Sequence, residues 1–126
     1  MKKIIKTNKA PAAVGPYSQG MQTDNMVFTS GQLPMIPETG EFVKGGIKEQ
    51  TRKSLENVEA VFNEAGLELA DAVKATVFLD DMGNFGEFNE VYKEFFPENP
   101  PARSCVEVAK LPLGAKVEIE MIGIKK

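Results

Sequence analysis

Two stretches of the chain space their apolar residues three and four positions apart, which is the period of an amphipathic α-helix. The first covers residues 46–65, and Gly66 marks its end because glycine adopts the left-handed conformation without penalty. The second covers residues 84–96, with Asn84 as the expected N-cap and Glu87 as its reciprocal partner. The residues that form the two apolar rows are Ile47, Thr51, Leu55, Val58, Phe62 and Ala65, and then Phe85, Phe88, Tyr92 and Phe95.

Five other segments are rich in alternating or β-branched apolar residues and are predicted to be strands. Residues 10–20 are predicted to form a loop, because two prolines and a glycine interrupt them. The short connector between the last two strands predicts that those strands pair in the antiparallel direction. The resulting order, β-β-α-β-α-β-β, is typical of an α+β fold in one domain spanning residues 1–126, with both helices on one face of a mixed sheet. The predicted strands are residues 2–6, 26–34, 71–79, 102–108 and 115–124.

The last strand is apolar on both of its faces. Its core face carries Val117, Ile119 and Met121, and the opposite face combines two glutamates with Ile122 and Ile124. An apolar second face favours contact with another copy of the chain, so we expect a homo-oligomer. The alternative is that the two isoleucines are ordinary surface apolar residues.

Composition limits the chemistry that the chain can perform. Its formal net charge is −3 and it contains no histidine, which disfavours nucleic-acid binding, His-dependent nucleophiles and His-based metal sites. The single cysteine cannot form an internal disulfide and fits a reducing compartment. The N-terminus lacks a signal-peptide core and no run of about 20 apolar residues occurs, so we expect a cytoplasmic protein with no membrane partner.

The segment "PPARSCVEV" places an arginine and the only cysteine on one face of a strand. Its valines favour the core side, so Arg103 and Cys105 are expected to point away from the helices. Arg103 then pairs either with Glu118 or Glu120 of the last strand, or with the carboxylate of a ligand. Cys105 is either a small buried apolar residue or a nucleophile activated by Arg103.

Four further residues are candidates for the chemistry of a site. Glu118 and Glu120 share a face and form either a solvated pair or a buried acid–base group. Tyr17 is either an aromatic anchor or a hydroxyl offered to a ligand. Gly31 ends a strand where a backbone can approach a ligand closely.

Taken together, several motifs resemble the RidA/YjgF family of reactive enamine/imine deaminases. They are "APAAVGPYSQG", "TSGQLP", "FNEVYKEFF", "PPARSCVEVAKLP" and "VEIEMIGI", in the family's order and over essentially the whole chain. The resemblance implies a chorismate-mutase-like fold and a homotrimeric barrel with sites in the clefts between subunits. It implies hydrolysis of 2-enamine and 2-imine acids, such as 2-aminoacrylate and 2-iminopropanoate, to 2-oxo acids and ammonia without a cofactor or metal.

The resemblance also assigns site residues by position. Arg103 corresponds to the arginine that pairs with the substrate carboxylate, Glu118 to the carboxylate that orients water, and Cys105 to a cleft cysteine. The chain departs from the family in carrying Pro100 where many members have an aromatic residue. The main alternative function is a non-catalytic trimer that senses 2-oxo or amino-acid-like carboxylates, and a nuclease is disfavoured by charge and by the absence of histidine. The remaining pocket residues implied by the resemblance are Tyr17, Ser30, Gly31 and Asn89.

Overall fold

The computed structural model describes residues 1–126 as one six-stranded sheet with two helices packed on one of its faces. The strands are β1 (Lys2–Ile5), β2 (Gly20–Thr23), β3 (Met26–Thr29), β4 (Ala72–Leu79), β5 (Ala102–Glu107) and β6 (Val117–Ile124). The helices are α1 (Ile47–Glu64) and α2 (Phe85–Phe95). The α+β class and the placement of both helices on one face are therefore confirmed. Neither helix is both long enough and apolar enough to cross a membrane.

The strands follow the order β1-β2-β3-β6-β4-β5 across the sheet. The predicted antiparallel pairing of the last two strands is wrong, because β5 pairs in parallel with β4 and β6 lies between β3 and β4. The reason is the β4–α2–β5 unit, in which a helix crosses over and returns the chain parallel to its first strand. Strand β5 consequently forms one edge of the sheet.

Strand β2 was not predicted, and β3 is shorter than expected. Residues 20–23 pair with both β1 and β3, although they carry only one large apolar side chain, Met21. The predicted strand at 26–34 ends at Thr29, and only Gln32 pairs again, with Ile119 of β6. Between these points β3 has one more residue than β6, so the sheet contains a bulge there.

The predicted end of α1 is confirmed, and the predicted capping of α2 by Asn84 is wrong. Gly66 follows α1 with φ of 85°, the left-handed conformation that was predicted to end it. Asn84 makes no capping hydrogen bond, because it is the last residue of a 3-10 turn that leads into α2. The Asp81 carboxylate instead accepts a hydrogen bond from Gly83 N–H, 2.8 Å away.

The core lies between the helices and the sheet. Leu55, Val58 and Phe62 of α1 pack with Phe88 and Val91 of α2 over the inner side chains of β4 and β6. Arg52 of α1 is exposed and pairs with Glu94 of α2. The opposite face of the sheet has no covering layer, and its half-buried or exposed apolar residues are Ile4, Met21, Met26, Phe28, Phe78, Val106, Ile122 and Ile124.

Candidate active site

The loop before β2 is held in place by the side chain of Gln19. This residue is 4% exposed, and its Nε2 lies 2.9 Å from Thr7 O and 2.7 Å from Pro11 O. Its Oε1 accepts a hydrogen bond from Thr7 N–H at 2.7 Å. One buried amide therefore fixes both ends of the loop that carries Tyr17, whose side chain is half exposed.

The bulge after β3 brings Ser30 and Gly31 beside this loop. Ser30 donates from its amide to Gln19 O at 2.9 Å and from its hydroxyl to Ser18 O at 2.5 Å. Gly31 lies against Glu118, and a Cβ at position 31 would stand 2.9 Å from Cδ and 3.1 Å from Cγ of that glutamate. Glu118 therefore occupies the space that any other residue at position 31 would need.

A cavity of about 640 Å³ opens on the face of the sheet away from the helices. Four residues predicted for the site line it together: Tyr17, Ser30, Gly31 and Glu118. Glu120 adds a second carboxylate, and no ion pair engages either glutamate. Burial, and then the charge of Glu120, raise the pKa of Glu118. The rest of the wall is largely apolar and includes Val14, Leu33, Met35, Pro112 and Leu113.

Arg103 lies on the other face of the sheet, so its expected orientation away from the helices is wrong. In the parallel β4–β5 register it stands opposite Ala75, a buried core residue, and residues paired in this way share a face. Its Nη1 donates to Asn89 Oδ1 on α2 at 2.8 Å. The valines that suggested the opposite orientation are half-buried or exposed, because β5 is an edge strand whose outer face lies open.

Arg103 has no carboxylate partner. Glu118 and Glu120, the two partners expected from the sequence, lie on the opposite face of the sheet, and none of the ion pairs includes Arg103. Its guanidinium is instead close to aromatic rings of α2. A half-buried cation of this kind is ready to receive an anion from outside the chain.

Cys105 is half-buried and lies opposite Val77, with contacts to the core. Burial raises the pKa of its thiol, and the nearby charge of Arg103 opposes that rise without overcoming it. The geometry thus favours a neutral thiol over an activated nucleophile.

The predicted site residues fall into two groups that one chain does not bring together. The first group lines the cavity on the open face, and the second, Asn89, Arg103 and Cys105, lies on the helix side at the edge of the sheet. Sequence reasoning missed Gln19 as the anchor of the loop. It also assigned the aromatic row of α2 to the core alone, although these rings also contact Arg103.

Comparison with known proteins identifies close relatives over the full length. The family model described as Endoribonuclease L-PSP matches residues 7–125. The chain is 50% identical over 125 residues to the RutC family protein PYRAB12510 of Pyrococcus abyssi, covering 99% of this chain and 98% of that protein. It is 50% identical over 129 residues to the 2-iminobutanoate/2-iminopropanoate deaminase of Escherichia coli K12, covering all of both chains.

Among solved structures, the crystal structure of E. coli TdcF with bound serine is similar to this chain. The two superpose with a TM-score of 0.94 at 50% identity, over 98% of this chain and 99% of that one.

The contact between Gly31 and Glu118 predicts a specific energetic coupling. We expect Gly31→Ala to destabilise the fold by about 1 kcal/mol, because the new methyl displaces the glutamate. In a Glu118→Ala background the atoms in the way are gone, so most of that loss should disappear, with a coupling energy of about 0.5–1 kcal/mol.

Urea unfolding at one fixed protein concentration measures this double-mutant cycle. Gly86→Ala is the matched control, because its Cβ would meet nothing within 4 Å on an exposed turn of α2. We expect it to stabilise the protein by about 0.5–1 kcal/mol in both backgrounds. Equal effects of Gly31→Ala in the two backgrounds would contradict the contact.

The raised pKa of Cys105 predicts slow alkylation. The thiolate is the reactive form, so the rate of reaction with iodoacetamide should reach its midpoint at a higher pH than for an ordinary cysteine thiol. Arg103→Gln should move the midpoint higher still, because it removes the charge that favours the thiolate. The rate is measured by mass spectrometry against pH, with Cys105→Ala as the unlabelled control. A midpoint below that of free cysteine would show an activated nucleophile instead.

Proposed function

Because the chain belongs to the Endoribonuclease L-PSP family, the RidA/YjgF family that its motifs resemble, we propose that it hydrolyses reactive 2-enamine and 2-imine acids to 2-oxo acids and ammonia. Substrates of this class are 2-aminoacrylate, 2-iminopropanoate and 2-iminobutanoate. The observation that carries the proposal is Arg103, a half-buried guanidinium with an amide partner and no carboxylate. The single cysteine is consistent with a cytoplasmic location.

The first step is capture of the substrate carboxylate by Arg103. One of its nitrogens is engaged by Asn89, and the remaining N–H donors can hold both oxygens of a carboxylate in one plane. The positive charge also draws electron density from the neighbouring carbon, which makes that carbon more open to attack by water. The serine bound to E. coli TdcF supports this step, because serine carries a carboxylate on the same kind of small framework.

The second step is attack of water on the C2 carbon of the iminium form. Glu118 orients the water and takes one of its protons as the C–O bond forms, and the C=N electron pair moves to nitrogen. The proton then passes from Glu118 to the amino group, which leaves as ammonia. As the C–N bond breaks, the remaining hydroxyl proton returns to the Glu118 carboxylate and the C2–O bond becomes the carbonyl of the 2-oxo acid. A carboxyl whose pKa is raised by burial is better suited than an ordinary one to take and return this proton, and such a group contributes about 10²–10⁴-fold.

The proposed site needs two copies of the chain. Within one chain the sheet itself separates Glu118 from Arg103, and a substrate of three or four carbons cannot touch both. The open apolar face and the exposed edge of β5 offer surfaces for a second copy. We propose a homotrimer in which Arg103, Asn89 and Cys105 of one copy meet Tyr17, Ser30, Gly31 and Glu118 of the next.

Two other functions would use parts of the same molecule. A sensor of 2-oxo acids would employ Arg103 without turnover, so only a kinetic measurement separates it from an enzyme. Cleavage of RNA, which the name of the family model describes, fits less well with a net charge of −3 and the absence of histidine as an acid–base group.

The deaminase proposal predicts a shorter imine lifetime. A serine or threonine dehydratase generates the imine, semicarbazide traps what remains, and ultraviolet absorbance follows the adduct. Added protein should lower the yield of adduct in proportion to its concentration. We expect Arg103→Ala to lower kcat/KM by about 10²–10³-fold, because a clamped carboxylate loses its charge partner. Cys105→Ala should keep most of its activity.

The controls in this assay separate the three functions. Gly86→Ala is the folded control, and incubation with single-stranded RNA tests for cleavage. An unchanged imine lifetime, together with calorimetric binding of 2-oxobutanoate, would identify a sensor and end the deaminase proposal. Complete loss of activity in a folded Cys105→Ala protein would return the nucleophile role to that residue.

The shared site predicts that two impaired variants restore each other. Arg103→Ala and Glu118→Ala are each expected to lose about 99% or more of wild-type activity as pure oligomers. When the two are unfolded together and refolded in equal amounts, a site formed between copies is intact in about a quarter of cases, so about a quarter of wild-type activity should return. Recovery of no activity, from mixed oligomers verified by mass spectrometry, would mean that the two groups do not act across copies.

A further inference from the structure

The guanidinium of Arg103 packs against one face of α2. Its Cζ lies 5.5 Å from the ring centroid of Phe85, 5.6 Å from that of Phe88 and 4.8 Å from that of Tyr92. Asn89, between these rings along the helix, accepts the hydrogen bond from Nη1 at 2.8 Å. Positions 85, 88, 89 and 92 follow the i, i+3, i+4, i+7 spacing, so four neighbouring side chains of one helix face converge on one charge.

These contacts compensate the charge without neutralising it. The faces of aromatic rings carry partial negative charge and attract a cation, more strongly where water is excluded. A carboxylate from the chain would bind the guanidinium more strongly and would compete with any external anion, and none is present. The rings therefore leave Arg103 stable in position and still available to an anion.

Tyr92 has the ring that lies nearest to the Arg103 guanidinium. It is 5% exposed and its hydroxyl makes no hydrogen bond to another residue of the chain, so its contact with Arg103 is made by the ring. Burial raises its pKa to about 12, and the ring is neutral at physiological pH. Its neighbours hold it on both sides, with Phe88 at 5.4 Å and Phe96 at 4.8 Å between ring centroids.

We propose that Phe85, Phe88, Asn89 and Tyr92 form an aromatic cradle that positions the Arg103 guanidinium for an incoming carboxylate, with Tyr92 as its principal positioning residue. The identity of the ligand as a substrate carboxylate rests on the proposed function. The positioning of Arg103 by the cradle does not depend on it. The cradle fixes the plane of the guanidinium before a ligand arrives, so binding loses less side-chain entropy than it would with a free arginine. A lysine at position 103 would lack the planar group that lies on these rings.

The chain provides an internal comparison, since Arg52 is its only other arginine. Arg52 lies 5.8 Å from the ring of Phe95, but it is exposed and pairs with Glu94. In ¹⁵N-labelled protein at low temperature, we expect separate Nη signals for Arg103, because its rotation about Nε–Cζ is hindered. Arg52 should give one averaged signal. Arg103→Ala assigns the two.

Substitutions in the cradle should allow the guanidinium of Arg103 to rotate and should leave Arg52 unaffected. In Tyr92→Leu the Arg103 Nη signals should merge into one, while those of Arg52 stay unchanged. Tyr92→Phe keeps the ring and should restore the separate signals. Phe96→Leu is the matched control, because this residue is also buried and packs against Tyr92, but its ring is not one of the three close to the Arg103 guanidinium. If Tyr92→Leu does not fold, Phe85→Leu and Asn89→Ala at half-buried positions serve the same purpose.

Binding gives the second measurement. Calorimetric titration with 2-oxobutanoate should show a dissociation constant about tenfold weaker in Tyr92→Leu and within about twofold of wild type in Phe96→Leu. In the imine assay the same loss should appear in KM more than in kcat, because the cradle acts on carboxylate binding.

The two measurements separate the failure of this inference from the failure of the proposed function. Separate Arg103 signals that merge only in cradle variants support the cradle even if no imine is hydrolysed. Averaged Arg103 signals in the wild type, or equal effects of Tyr92→Leu and Phe96→Leu, would overturn it whatever the activity.

Discussion

The parallel register between β4 and β5 decides where the chemistry of this molecule lies. It sets Arg103 opposite Ala75 and Cys105 opposite Val77, which places both on the side covered by the helices. A slip of one residue would turn Arg103 towards the open face and bring Val106 under α2, because successive side chains of a strand alternate. The chain between these two strands forms the crossover helix α2, the same helix that contacts the arginine. One supersecondary unit thus supplies the cation, its orientation and its surroundings.

The helices and most strands could be predicted from the sequence because their signals are local. The rows of apolar residues and Gly66 give α1 and α2 within a few residues. Strand β2 could not be predicted, since a strand with one large apolar side chain forms only because two neighbours pair with it. The face of Arg103 was mispredicted for a related reason. On an edge strand such as β5 the valines need not face the core. Only the position of α2 determines which face of this strand is covered.

The motif resemblance identified most residues of the candidate site. Their arrangement in space could be seen only in the folded structure. Tyr17, Ser30, Gly31 and Glu118 do line one cavity, and Asn89 does meet Arg103. That these two groups lie on opposite faces of the sheet depends on strand order, which no local pattern encodes. The resemblance had implied sites between subunits. The separation of the groups within one chain is the observation from which we propose that arrangement here, because a small substrate cannot reach through a sheet.

The buried amide of Gln19 has a consequence for how a ligand enters and leaves. A single side chain joins Thr7, Ala10 and Pro11 to the start of β2, so the loop that carries Tyr17 is an extension of the sheet and not a hinged lid. Enzymes that close a lid over the substrate often wait for it to reopen before product leaves. In this protein the cavity wall formed by the loop is built before the ligand arrives, so binding at this wall should need no movement of the loop. A wall that is already ordered spares the ligand the entropy cost of ordering it.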